Sequence, residues 1–306
     1  MIRASIDLGT NTCLLLLADW ARSEPEPRRV LADLCTIVRL GQGVDRNRLL
    51  LPEAMERTLA CLRQYAEEIA ALGADPREAV CVATSQARDA ANGAEFFARV
   101  ENETGFRFKI ISGDEEARLT FLGGLLPGMT SENTALIDIG GGSTELIAQS
   151  GNKISGKSID IGSVRFTERF FQSDPVTDQE FWACQAGIDE KLAELLPWRE
   201  RLPSNSRLLA VAGTATTLAS AYLQLNQFDA GRIDQTVLTR GDIHRLVEEL
   251  KWRKVVERAG LPGIEPGRAD IILAGGLILW RVLERLGFPE VRVSTRGLRY
   301  GALKDC

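Results

Sequence analysis

Three glycine-containing turns, each placed directly after an apolar run, hold the residues best suited to chemistry. They are Gly9-Thr10-Asn11-Thr12, Gly140-Gly141-Gly142-Ser143 and Gly213-Thr214. Glycine has no Cβ, so an anion can approach the backbone, and successive N–H groups form a positive concavity. None of the turns matches the GxxxxGKS/T pattern of Walker-type sites. The turns, with their hydroxyl groups and that of Thr144, predict phosphate binding, although any one alone could be a tight turn without a ligand.

Acidic residues accompany the first two turns. Asp7 and Asp138 stand at corresponding positions, two residues before Gly9 and Gly140, and Glu145 follows the second turn. Carboxylates at the carboxyl end of a strand, beside a phosphate-binding turn, can hold Mg²⁺ directly or through water. The sequence therefore predicts Asp7, Asp138 and Glu145 as metal ligands. A solvated strand residue is the alternative interpretation of Glu145.

A candidate base and a candidate phosphate clamp lie between these turns. Glu115 and Glu116 follow Ser112-Gly113-Asp114, which is typical of a helix N-cap. Either carboxylate could act as a general base, but the helix dipole would stabilise both without any catalytic duty. Arg88 comes after a strand and a polar TSQA turn, where it could bind phosphate or simply be a surface charge.

The elements that must position these residues occur twice. Three strands and then alternating helices and strands fill the first part of the chain, and the pattern restarts after Pro127-Gly128. IDLGTNT at residues 6–12 and IDIGGGST at 137–144 share one plan of strand, acid, glycine turn and strand. This predicts a duplicated α/β protein with mixed sheets and domains at 1–126 and 127–306. The last helix, about 297–306, is a candidate to pack back on the first domain.

Composition narrows the function classes. The chain has 306 residues, a formal charge of −5, one histidine (His244) and six scattered cysteines without a CxxC pair. Zinc sites built on several imidazoles and iron–sulfur sites are thereby disfavoured, as is a non-specific nucleic-acid coat. The start lacks a basic-then-apolar leader, and the longest apolar run, 271–280, is about half a membrane span. We expect a cytoplasmic protein that binds neither nucleic acid nor membranes.

Seven motifs together resemble one family. IDLGTNT, ATSQARDA, ISGDEEARLTFLGG, ALIDIGGGSTEL, VAGTATTLAS, RADIILAGG and STRGLRYGAL occur in order between residues 6 and 302. They resemble the motifs of the exopolyphosphatase/guanosine pentaphosphate phosphatase (Ppx/GppA) family. The resemblance implies two duplicated actin-like (ribonuclease H-like) domains with an interdomain active-site cleft, within the actin-like ATPase superfamily.

The resemblance also implies an activity and residue roles. The activity would be exopolyphosphatase: hydrolysis of the terminal phosphoanhydride of inorganic polyphosphate, with release of orthophosphate. Glu116 corresponds to the family's catalytic glutamate, and Asp138 and Glu145 would assist with Mg²⁺ and water. The phosphate-binding positions correspond to Gly9, Thr10, Asn11, Arg88, Gly141, Gly142, Ser143 and Thr144. A monovalent cation such as K⁺ and a homodimer, formed through the exposed apolar surface of the second half, are further expectations.

Three rival activities stay open. The same site could act as a guanosine pentaphosphate (pppGpp) 5′-phosphatase, and the fold could also serve an actin-like small-molecule kinase or a nucleotide-binding scaffold. Two departures from the family pattern bear on substrate choice. These 306 residues show no counterpart of the helical region with His-Asp pairs found in longer members. Since that region helps longer members bind long polyphosphate, the resemblance does not carry this property over. GLRYG also carries Tyr300 where an acid is usual. Arg165 and Arg169 are our candidates for a basic lining.

Overall fold

Two mixed β-sheets organise the part of the chain that the computed structural model describes. It covers residues 1–151 and 153–306, with the side chains at 45, 85 and 86 excepted. The chain forms two units: Met1–Gly123 together with Gly297–Cys306, and Gly124–Arg296. The predicted domain boundary, at 126/127, lies three residues after the point at which these units divide.

The first unit contains a five-stranded sheet in the order β3-β2-β1-β4-β5. Its strands are β1 (Ile2–Leu8), β2 (Thr12–Asp19), β3 (Arg29–Ile37), β4 (Val80–Ala83) and β5 (Phe108–Ile110). The first three form an antiparallel meander, because short turns suffice to join antiparallel neighbours. β4 and β5 run parallel to β1, so their connections pass through helices.

The helices of the first unit cover its sheet. They are α1 (Val44–Asn47), α2 (Pro52–Ala71), α3 (Ser85–Asp89), α4 (Gly93–Thr104) and α5 (Gly113–Gly124). α2 begins with a proline at its first turn, where the missing N–H costs nothing. Its residues Leu62, Tyr65 and Ile69 are buried and form one core with alternate residues of β1, such as Ile6 and Leu8.

The second unit repeats this topology with one strand added. Its strands are β6 (Thr134–Ile139), β7 (Thr144–Ser150), β8 (Lys153–Ile159), β9 (Arg207–Val211), β10 (Val237–Thr239) and β11 (Glu290–Val293). They are ordered β10-β11-β9-β6-β7-β8: an antiparallel meander of β6, β7 and β8, with β9 and β11 parallel to β6. The duplicated α/β fold with mixed sheets is confirmed. The short edge strand β10 was not predicted.

Eight helices of the second unit are described, and one more closes the chain. They are α6 (Ser163–Phe170), α7 (Asp178–Leu192), α8 (Leu196–Arg199), α9 (Ala212–Tyr222), α10 (Ala230–Asp234), α11 (Arg240–Lys251), α12 (Val255–Arg258), α13 (Ile272–Arg285) and α14 (Leu298–Asp305). α13 is almost wholly buried and forms the centre of this unit's core. A 3-10 turn follows the end of α7 at Leu192, and α8 begins directly after it.

The last helix, α14, belongs to the first unit and packs on β1. The Ser5 hydroxyl donates to the carbonyl oxygen of Arg299 at 2.7 Å. α5 and α14 approach so closely that a Cβ on Gly301 would lie 1.8 Å from the carbonyl oxygen of Leu119. Glycine is therefore required at that position of the GLRYG motif. None of the helices described is both long and apolar enough to span a membrane.

Candidate functional site

The first glycine turn closes the hairpin of β1 and β2. The N–H of Gly9 donates to the carbonyl oxygen of Thr12 at 2.9 Å. Asn11 is only 7% exposed, and neither atom of its side-chain amide has a hydrogen-bond partner among the described residues. A buried amide without partners is unfavourable by about 1–3 kcal/mol. The predicted residue Asn11 therefore has unused hydrogen-bonding capacity.

Asp7 stands two residues before this turn, on the face of the sheet that α14 covers. Burial raises the pKa of its carboxyl to about 7, and the nearby charge of Arg299 opposes that rise. Arg299 itself makes two hydrogen bonds to Asp33 of β3, at 2.8 and 2.9 Å. The hydroxyl of Tyr300 lies 3.3 Å from the same carboxylate. In GLRYG, the acid that pairs with the arginine therefore comes from β3.

The second glycine turn closes the hairpin of β6 and β7. As in the first turn, the first glycine donates to the fourth residue: the N–H of Gly140 donates to the carbonyl oxygen of Ser143 at 3.0 Å. The first turn of α6 packs against this glycine turn. The N–H of Arg165 donates to the carbonyl oxygen of Gly141 at 3.0 Å, and its Nε donates to the carbonyl oxygen of Gly142 at 2.7 Å. A Cβ on Gly162 would lie 2.3 Å from the Gly141 carbonyl oxygen. This close approach fixes the turn's backbone against α6.

Asp138 and Glu145 are direct neighbours across the β6–β7 hairpin. Glu145 is 4% exposed, and the Ser158 hydroxyl donates to its Oε1 at 2.6 Å. The interpretation of Glu145 as a solvated strand residue is therefore wrong. Like charges placed directly opposite each other destabilise a sheet, and a divalent cation removes that repulsion. Two carboxylates beside a phosphate-binding turn are a common protein contribution to Mg²⁺ binding.

The threonines of the site use their hydroxyl groups within the protein. Buried Thr144 donates to the carbonyl oxygen of Ile161 at 2.7 Å, and buried Thr214 donates to that of Ile139 at 3.0 Å. The single O–H of each is thus already committed. A phosphate contact at either residue would use the backbone N–H.

The third turn forms the start of α9, whose first residue, Ala212, has a left-handed backbone (φ 65°). Arg268, which the sequence reasoning missed, packs directly on it. A Cβ on Gly213 would lie 1.9 Å from Nη1 of the Arg268 guanidinium. Since the N-terminal end of a helix is itself positive, an arginine there favours an anion. Arg268 opens the RADIILAGG motif, and that was the available signal.

Arg88 and Glu116 lie together in the first unit. One guanidinium nitrogen of Arg88 donates to Glu116 Oε2 at 3.1 Å and to the carbonyl oxygen of Ile111 at 2.7 Å. Glu115 instead forms an ion pair with Lys109 at 2.6 Å, between more exposed side chains. The structure thus separates the two acids of the SGDEEAR motif. Arg88 lies in helix α3, which begins almost directly after β4, where the sequence predicts a turn.

The predicted residues form separate groups within the two units. Asp7, the Gly9–Asn11 turn, Arg88 and Glu116 belong to the first unit, and the other site residues to the second. Arg169 is exposed and lies over the Phe170 ring, with 5.2 Å between the guanidinium carbon and the ring centroid. Among the described residues, no group of three or more histidine, cysteine or acidic side chains could hold a metal by itself.

The same sheet topology occurs twice, and in each copy the last residue but one of the first strand is an aspartate and a glycine turn follows the strand. This duplication defines the class of actin-like α/β proteins. The model of the Ppx/GppA phosphatase family matches residues 21–306. The chain therefore belongs to the Ppx/GppA phosphatase family and is a hydrolase of phosphoanhydrides.

Individual relatives agree with this assignment. The chain is 34% identical to Exopolyphosphatase 2 of Mycobacterium tuberculosis over 97% of its own length and 96% of that protein. It is 33% identical to the bifunctional 3-dehydroquinate synthase/phosphatase of Fusobacterium nucleatum, of which it spans only 46%. The crystal structure of an exopolyphosphatase-like protein superposes with a TM-score of 0.90 at 30% identity, covering 100% of this chain and 98% of the other.

Proposed function

We propose that this protein is an exopolyphosphatase, which hydrolyses the terminal phosphoanhydride of inorganic polyphosphate and releases orthophosphate. The observation that carries the proposal is the pair of carboxylates, Asp138 and Glu145, directly opposite each other beside a glycine turn. The similarity to Exopolyphosphatase 2 over nearly the whole length of both chains favours polyphosphate as the substrate.

Glu116 is the proposed general base. Its carboxylate is held by Arg88 in the first turn of α5, where the helix dipole favours a negative charge. A base held in this way can accept the proton of an attacking water at a fixed position. Arg88 would bind a phosphoryl oxygen, since guanidinium groups pair well with phosphate.

The turns are proposed to bind the phosphate oxygens through their backbone N–H groups. The negative charge that develops on these oxygens during hydrolysis would be stabilised by donors already held in place. The residues also suit Mg²⁺: Asp138 and Glu145 would supply oxygen ligands in the second unit, and Asp7 is a separate proposed ligand in the first. When bound, Mg²⁺ would neutralise charge on the phosphoryl oxygens.

A guanosine pentaphosphate 5′-phosphatase is the second candidate. The chain belongs to a family named for both activities, and pppGpp also ends in a phosphoanhydride. Arg268, packed on Gly213, could bind further phosphate groups of either substrate. A homodimer, a cytoplasmic location and a K⁺ requirement stay predictions.

The test compares orthophosphate release from long polyphosphate, short polyphosphate, pppGpp and ATP, with Mg²⁺ and with chelator. We expect the highest kcat/KM on polyphosphate, and a loss of about 10²–10⁴-fold in Glu116→Gln with substrate binding retained. Glu115→Gln is the matched control, because Glu115 pairs with Lys109, and we expect it to keep the wild-type rate. Preference for pppGpp would select the second candidate. ATP binding without hydrolysis of any substrate would overturn both.

A further inference from the structure

The first glycine turn is held from behind by the loop that follows β3. The N–H groups of Val38 and Arg39 both donate to the carbonyl oxygen of Asn11, at 3.0 and 2.9 Å. The N–H of Gly41 donates to the carbonyl oxygen of Thr10 at 2.9 Å. An arginine is thus fixed to the turn through its own main chain.

The backbone of Arg39 is in an unusual conformation. Its φ is 50°, in the left-handed region that residues with a Cβ rarely adopt. Val38 and Leu40 are buried at 1% and 0% exposure, whereas Arg39 between them is half-buried. Such backbone strain persists where the surroundings fix it, and it is common at binding sites.

The Gly9–Thr12 turn is suited to bind an anion but contains no basic side chain. From Asp7 to Leu14 there is no basic residue. The buried side-chain amide of Asn11 has no hydrogen-bond partner among the described residues, while the main-chain carbonyl oxygen of Asn11 accepts the two hydrogen bonds from the loop. A phosphoryl oxygen bound here could accept from the amide nitrogen, but its charge needs a cation from a neighbouring segment.

The second unit shows a related contact. There, the segment that follows the third strand of the meander also returns to the glycine turn, where the N–H of Arg165 donates to Gly141. Each unit therefore attaches one arginine to its turn by a main-chain hydrogen bond. The two arginines differ in position, because Arg39 lies just after β3 and bonds to the third residue of its turn, whereas Arg165 lies in α6 and bonds to the second.

From these contacts, and resting on the proposed function, we propose that Arg39 is a substrate-binding residue. It binds a non-bridging oxygen of the condensed phosphate whose neighbouring oxygens lie at the Gly9–Asn11 turn.

Arg39→Gly tests this role, with Arg48→Gly as its matched control. Arg48 is also left-handed (φ 56°), but it is exposed and its carbonyl oxygen accepts from Ala91, which is not part of the turn. Glycine relieves the backbone strain in both, so neither variant should melt below wild type. We expect Arg39→Gly to raise KM for polyphosphate by about 10-fold or more with kcat within about 3-fold, and Arg39→Lys to recover part of the loss. Arg48→Gly should keep the wild-type KM.

Binding of tripolyphosphate, measured by calorimetry without turnover, separates the two proposals. Weaker binding by Arg39→Gly than by Arg48→Gly supports the role of Arg39, even if the wild-type protein hydrolyses nothing and the proposed function fails. Equal binding and equal KM in the two variants overturn the role of Arg39 while leaving the activity intact. Absence of tripolyphosphate binding by the wild-type protein overturns both.

Discussion

The two hairpin turns, Gly9–Thr12 in the first unit and Gly140–Ser143 in the second, have the same backbone plan and different side chains. In each, the first glycine N–H donates to the fourth residue's carbonyl oxygen, at 2.9 and 3.0 Å. The residue opposite the aspartate differs, because Asp7 faces Leu14 whereas Asp138 faces Glu145. The turn geometry is thus present twice and the pair of carboxylates once.

This difference separates two tasks that the duplication could have shared. Backbone N–H groups can bind phosphate whatever the neighbouring side chains are, so the proposed phosphate binding is open to both turns. Binding a divalent cation depends on carboxylates, and only the second hairpin places two of them opposite each other. We therefore expect substitutions in the second hairpin to affect chemistry, and substitutions in the first to affect phosphate binding.

The largest effect is expected when Glu145 of the second hairpin is replaced by leucine, the residue that lies opposite the aspartate in the first hairpin. Glu145→Leu removes one of the two opposed carboxylates, and leucine suits a position that is 4% exposed. Orthophosphate release should fall by about a thousandfold, and the Mg²⁺ concentration for half-maximal rate should rise.

Ser158→Ala is the control for Glu145→Leu, because it removes the 2.6 Å hydrogen bond to Glu145 and keeps the carboxylate. We expect it to retain at least about a tenth of the wild-type rate. If Glu145→Leu folds and keeps a comparable rate, the distinction between the hairpins is lost.

A smaller effect tests how each turn is supported. In Gly162→Ala, the new methyl group would lie 2.3 Å from the Gly141 carbonyl oxygen, so the turn or α6 must move. Overpacking of this kind should lower the free energy of unfolding by about 2 kcal/mol, measured by urea denaturation.

Gly9→Ala is the matched change in the first hairpin. Its Cβ would lie 3.5 Å from the nearest atom, the Thr12 carbonyl oxygen, which is an ordinary contact. We expect a loss of less than about 1 kcal/mol there. Equal losses in the two variants would show that the turns do not differ in their support.

The hairpins could be predicted from the sequence because each combines apolar runs with a glycine turn, and these local signals fix the register. The three-residue strand β10 is too short to show a periodicity, so it was missed. The arrangement around Arg39 and Arg268 was missed for another reason. Their neighbours, Asn11 and Gly213, lie 28 and 55 residues away in the sequence, and only the folded chain brings them together.

Burial was equally invisible in the sequence. Nothing around Glu145 distinguishes a buried carboxylate from a solvated one, since strand residues alternate between faces whatever covers them. The resemblance to a family pointed to Glu145 and Glu116, and the structure adds their partners, Ser158 and Arg88. Their roles in catalysis stay predictions.

The last comparison concerns Asp7, the acid without an acidic partner across its hairpin. Burial raises the pKa of its carboxyl from 3.8 to about 7 in the folded protein. The folded state thus holds this proton more tightly than the unfolded state, so stability falls as the pH rises from 3.8 through 7 and is level above. Asp7→Asn does not titrate there. In chelator, its free energy of unfolding should equal that of wild type below pH 3.8 and exceed it above pH 7, by about 4 kcal/mol, since each pKa unit corresponds to about 1.4 kcal/mol.

Asp19→Asn gives the opposite sign and serves as the control for Asp7→Asn. The ammonium group of Met1 donates to Asp19 and lowers the pKa of that carboxyl. As the pH rises through the acid range, the free energy of unfolding of wild type should therefore increase relative to that of Asp19→Asn and decrease relative to that of Asp7→Asn. A pH-independent difference between Asp7→Asn and wild type would mean that Asp7 is as well solvated as an ordinary surface carboxylate. The first hairpin would then present a charged acid near neutral pH, as ready for a cation as the second, and the division of tasks between the two hairpins would rest on Glu145 alone.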